Sequence, residues 1–157
     1  MAIYLKTAMV ITGQHNGRDV KRAWIEVSND DSVSATPQKS ADGFGSMCIA
    51  LRGDIQSADG SGADFIGAIR DIEAGTESYI KADGNAHIAF ITPREVWFEN
   101  LYVDIDESPV SFRQYKLAVE TWVKFLADPE RKPIVVPFPD DVLDRATLPP
   151  RPSRNEE

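Results

Sequence analysis

The sequence predicts an α+β fold: a mainly antiparallel sheet of five or six strands, two helices packed on one face, and a Pro-rich extended C-terminal segment. Three observations carry that reading. Short β-forming runs alternate with turn residues along the chain, most clearly on either side of Asp83-Gly84, a dipeptide suited to tight hairpin turns. Two segments, 61–74 and 111–128, repeat apolar residues at spacings of three and four. Seven of the ten prolines fall in residues 129–157, where neither a long helix nor a central strand can persist. The 157 residues thus divide into a single α+β domain over 1–128 and an extended segment over 129–157.

Residues 3–12 are rich in β-formers, and Gly13-Gln-His-Asn-Gly17 then supplies a turn. Val20 to Val27 returns as a second strand whose Trp24 packs against the first. From 28 to 46 the chain has too few large apolar groups to order a regular element and reads as a long loop. Met47-Cys-Ile-Ala-Leu51 is a short apolar run suited to a central strand that contains Cys48. Ser61 and Asp64 have the spacing of a helix start, Phe65, Ile66, Ile69 and Ile72 share one face, and Gly75 ends the helix.

Tyr79–Ala82 and Ala86–Ile91 form the arms of the Asp83-Gly84 hairpin. Thr92-Pro-Arg-Glu95 turns the chain into a strand from Val96 to Ile105. Leu101, Val103 and Ile105 alternate out of phase with Val96 and Phe98, which predicts a bulge near Glu99-Asn100. Ser108-Pro109, or Ser111 with Gln114, caps the next helix, whose face carries Phe112, Tyr115, Val119, Trp122 and Leu126 until Pro129 stops it. Ile134-Val-Val136 is an edge strand or extended clamp, and the chain beyond Leu148 is expected to be a solvated tail.

Twenty-five acidic against seventeen basic residues give a formal net charge of -8, a field that repels phosphate backbones and anionic lipid. Neither nucleic acid nor membrane is therefore expected as a partner. The single cysteine, Cys48, permits no intrachain disulfide and no Cys-rich zinc cluster. With no secretory pattern and no apolar run long enough to span a bilayer, a cytoplasmic protein is expected.

No residue set assembles a recognisable catalytic or metal motif, so no cofactor is expected. His15 and His87 lack spaced ligand companions, and Cys48 sits in an apolar run where a thiol is inert packing. Gly60-Ser-Gly62 precedes a helix, but it lacks a phosphate-loop lysine and is flanked by Asp59 and Asp64. Asp104-Ile-Asp-Glu107 groups three carboxylates ahead of a helix. On a strand Asp104 and Asp106 would share a face and could hold a divalent cation or act as an acid/base pair, while the helix dipole and solvation account for the same cluster without chemistry. Trp97, beside the expected bulge, is the tryptophan expected to be exposed.

The order of strands, helix, Asp83-Gly84 hairpin, bulged Val96–Ile105 strand and amphipathic helix through Trp122, in a small acidic Cys-poor chain, resembles the immunity proteins of bacterial polymorphic and contact-dependent toxin systems. The resemblance spans roughly residues 62–128. It implies a cytosolic, non-enzymatic protein that docks on a cognate toxin domain and neutralises it. An acidic surface suits a basic protein partner, and charge with expected exposure selects Asp104, Asp106, Glu107 and Trp97 as docking residues. Two other functions fit the residues. One is a small metal-dependent hydrolase or transferase using Asp104 and Asp106. The other is a structural or assembly subunit, for instance viral, whose 28–46 and 129–157 segments wrap neighbouring copies.

Overall fold

The computed structural model describes residues 2–41, 43–105 and 108–152. Its elements run β1 (Ile3–His15), β2 (Arg18–Ser28), α1 (Gly45–Asp54), α2 (Ser61–Glu73), β3 (Ile80–Asp83), β4 (His87–Ile91), β5 (Glu95–Asn100), β6 (Val110–Ser111), α3 (Phe112–Ala127) and β7 (Ile134–Phe138), with a final 3-10 turn at Arg145–Thr147. The fold is α+β, and both sheets are antiparallel. The strands divide into a three-stranded sheet ordered β2-β1-β7 and a four-stranded sheet ordered β3-β4-β5-β6, in place of the one sheet of five or six strands expected. Three helices replace the two expected.

The extra helix is Met47–Leu51, expected as a central strand. A short apolar run fits either state, and flanking context decides between them. Here Met47, Cys48, Ala50, Leu51 and Asp54 are buried at helical spacing while Ile49 faces outward, so one face of α1 enters the core. That helix then stands where a continuous sheet would have run. Both α1 and α3 touch strands of both sheets. One cluster joins Leu5, Ile25, Met47, Phe98, Tyr115, Trp122 and Phe125.

The first hairpin turns on Asn16 and Gly17, both at positive φ (52° and 77°), the two-residue geometry that matches strand twist. The strands run further toward this turn than expected, and the ladder shifts register between Ile11 and Gly13. In α3 the expected capping box is present: Gln114 N–H donates to Ser111 Oγ at 3.1 Å and Ser111 N–H donates to Gln114 Oε1 at 2.8 Å. Trp122 Nε1 donates to the Ile55 carbonyl at 2.9 Å, tying α3 to the end of α1. At α2 the cap position is Gly60, because Ser61 Oγ is taken by the Gln56 N–H at 3.0 Å. Gly75, at φ 76°, closes that helix as expected.

Three extended segments are each held against the two sheets. Residues 29–41 form no regular element, as expected, but they are held across the outer face of β1 and β2. Lys6 Nζ donates to the Ser32 carbonyl at 2.6 Å, Ile11 N–H to the Ala35 carbonyl at 2.8 Å, and Ala41 N–H to the Val27 carbonyl at 2.7 Å. Ile134–Phe138 pairs with Ile3–Thr7 of β1 as the edge strand. Residues 149–152, expected to be a solvated tail, line a recess with Thr92, Glu95 and Trp97 on the outer face of the second sheet. No helix among the described residues is long and apolar enough to cross a membrane.

Candidate functional site

The strand expected from Val96 to Ile105 stops at Asn100, and no bulge interrupts its pairing with β4. Val96 and Phe98 face the helical core while Trp97 faces the opposite side, so the alternation that begins at Leu101 belongs to a different structure. The Asn100 side chain makes the break. Its Oδ1 accepts the N–H groups of Tyr102 (2.8 Å) and Val103 (3.1 Å), bending the chain out of the sheet. Leu101 N–H donates to the Ala86 carbonyl at 2.8 Å and anchors the bend to the Asp83-Gly84 hairpin.

A buried polar chain fixes Asn100 in turn. With its oxygen committed to two backbone donors, its Nδ2 faces His87 Nε2 at 3.2 Å and donates to it. The other ring nitrogen, Nδ1, lies 3.3 Å from Asp54 Oδ2 without a hydrogen bond to it. Asp54 Oδ1 accepts the Ala86 N–H at 2.9 Å. Gly84 admits this carboxylate to the hairpin, since a Cβ there would lie 2.1 Å from Asp54 Cγ. Asp54 and His87 are both buried, and through Asn100 and the Ala86 backbone the pair positions the bend.

What the bend displays is apolar. Leu101, Tyr102 and Val103 are 46%, 78% and 61% exposed, three consecutive large side chains in water. Asp104 follows them, exposed and outside any strand. The expectation that Asp104 and Asp106 share a strand face therefore loses its basis. Asp106 and Glu107 lie outside the described residues. Among the described residues no three His, Cys, Asp or Glu groups stand close enough to hold a metal ion.

Trp97 corrects the expectation of exposure. Its ring stacks on Phe90 at 5.3 Å and Tyr79 at 6.4 Å, and the Arg151 guanidinium lies over it at 4.2 Å. Arg151 and Arg145 both reach the buried carboxylate of Glu95, Arg151 Nη2 at 3.0 Å. The C-terminal segment thus covers the tryptophan, a contact between residues more than 50 apart that local pattern cannot register.

Cys48 is buried, and loss of solvent pushes its thiol up to about 11, so it stays protonated and inert. The residues that sequence reasoning missed are Asn100, Tyr102, His87 and Asp54. Asn is a frequent strand terminator, and that signal was present at position 100. No family model, curated protein or solved structure matches the chain.

Proposed function

We propose that the protein is a non-enzymatic binding module that docks on a basic protein partner through the bend at Leu101–Asp104, in the manner of an immunity protein that neutralises a toxin domain. The observation that carries this reading is the run of exposed Leu101, Tyr102 and Val103, pinned by Asn100 and beside an exposed carboxylate. A tyrosine flanked by aliphatic groups is the composition of an interface anchor, and a pinned backbone spares the ordering entropy that weakens flexible contacts. Asp104, followed in sequence by Asp106 and Glu107, adds negative charge beside the anchor, and the net charge of -8 steers a basic partner toward it. Tyr102 takes the anchoring role first expected of Trp97.

The assembly reading has less support. The segments expected to wrap neighbouring copies are spent on the chain's own sheets: 29–41 over β1 and β2, 134–138 beside β1, and 149–152 over Trp97. A hydrolase reading would rest on Asp104 and Asp106 sharing a strand, and Asp104 is not in one.

Immobilised protein, its Tyr102→Ala variant and its Asp104→Lys variant should be challenged in parallel with extract of the source cells. The expected result is one basic protein retained by the parent chain, eluted by salt, and lost from both variants. Equal retention by all three, or retention unaffected by salt, overturns the proposal.

A further inference from the structure

We propose that the groove beside the free edge of β2 accepts an extended acidic segment of a partner protein as an added strand. Two hollows of about 460 and 500 Å³ meet at Trp24, Ile49 and Arg52. The chain has 25 acidic and 17 basic residues, yet the charged groups are Lys39 in the first hollow, Arg22 and Arg131 in the second and Arg52 in both, with no carboxylate lining either among the described residues. None of the four is ion-paired among the described residues. Three arginines and a lysine in one place, on a molecule whose overall charge is negative, form a local field that attracts carboxylates, offset in part by Glu26 near Arg52 and Asp128 near Arg131.

The backbone beside them is an open sheet edge. Val27 turns its N–H to Ser40 Oγ (3.2 Å) and its carbonyl to the Ala41 N–H (2.7 Å), both away from β1. The alternation of an antiparallel ladder puts the backbone groups of Ile25, Ala23 and Lys21 on that same side. Arg52 Nη1 covers the Ile25 carbonyl at 3.0 Å while its guanidinium lies over the Trp24 ring at 3.7 Å. Ala23 lines the second hollow, and among the described residues β1 is the only strand beside β2. Beyond the part capped by Ser40, Ala41 and Arg52, an edge with no strand paired to it among the described residues is a template for an incoming strand.

The floor of the groove is apolar. Ile49 is 49% exposed on the outer side of α1, with Leu126 of α3 along the same hollow. Arg131 takes a left-handed backbone (φ 49°) in the turn after α3 and swings back over Phe125 at 5.7 Å. A strand added at Lys21–Ala23 would set alternate residues against Arg22 with Trp24, and against Ile49 with Arg131. An acidic peptide interspersed with aliphatic residues fits both sides. Nucleic acid fits poorly, because the hydrogen-bonding edge wants a peptide backbone and the whole-molecule field repels a polyanion.

A short fluorescein-labelled peptide of alternating Glu and Val, titrated with the full chain and followed by anisotropy, tests this. Binding should weaken as salt rises, and by about tenfold or more in Arg22→Glu, which leaves the backbone intact. Ala23→Pro removes one outward N–H without touching the β1 ladder and should abolish it. Tyr102→Ala should leave the peptide affinity unchanged, which separates this site from the bend at Leu101–Asp104. Equal binding of a Lys-Val peptide, tighter binding of oligothymidylate, or unchanged affinity in both variants overturns the proposal. So does a dimer in sedimentation that Ala23→Pro dissolves, since the edge would then belong to a second copy.

Discussion

Across the outer face of β1 and β2 lies the 29–41 segment; across the outer face of β4 and β5 lies the segment from Arg145 to Pro152. The first cover is held by scattered contacts, from Lys6 to Ser32 and Asp30, Ile11 to Ala35 and Val27 to Ser40 and Ala41. The second converges on one carboxylate, Glu95, gripped by Arg145 and Arg151 while Arg151 also covers Trp97. Buried charge is treated differently beneath the two. Glu95 has two direct cationic partners, whereas Glu26, under the first cover, leaves its Oε2 without a hydrogen bond. A cover hung on one charge should come off as a unit; a distributed one should loosen piecemeal.

The largest expected effect is therefore at Glu95. Glu95→Ala leaves Arg145 and Arg151 without their acceptor and should cost about 2–3 kcal/mol, less than a fully buried pair because both arginines reach solvent. Urea denaturation should report the loss, and trypsin should cut after Arg145 in the native variant. Intact protection at Arg145 would mean that the prolines alone hold the segment. Lys6→Met is the matched test of the first cover. It should cost about 1–2 kcal/mol, with hydrogen exchange rising at residues 30–35 while Ala41 stays protected. Loss of protection along the whole segment would erase the contrast.

Smaller still is Asn100→Ala, which removes the acceptor for Tyr102 and Val103. Those two amides should exchange faster while global stability falls by only about 1 kcal/mol. The smallest effect is at Glu26, where burial raises the carboxyl above its ordinary 4.5. A raised folded value means that the proton stabilises the native state. This contribution is complete below the unfolded value and is lost as pH rises through the folded one. Glu26→Gln should thus match the parent near pH 4 and slightly exceed it at pH 7, read as thermal midpoints across that window. A Gln variant less stable at pH 7 would show that the Lys6 and Arg52 charges outweigh burial.

Features fixed by local chemistry were readable in the sequence: the Ser111–Gln114 box, the stop at Gly75 and the edge strand at Ile134. The hairpin at Asp83-Gly84 is present, but it turns over residues 84–86 with no positive φ at either residue, and Gly84 serves the close approach of Asp54. Features decided by distant contacts were not readable. Met47–Leu51 is too short for its period to separate helix from strand, and the two sheets that flank α1 settled it. Trp97 read as exposed because the arginines that cover its strand lie about fifty residues downstream. At the candidate site, charge and expected exposure point to Asp104. Tyr102 does not stand out in the sequence because Leu101, Val103 and Ile105 mimic the alternation of a strand.

A photo-crosslinking residue placed at 102, and separately at 97, puts the two readings of the docking surface against each other in the complete chain. Position 102 should crosslink to a basic protein from the source cells, with salt suppressing the product, while position 97 should crosslink only within the chain, to the segment around Arg151. A crosslink to a partner from 97 with none from 102 would contradict docking through the bend.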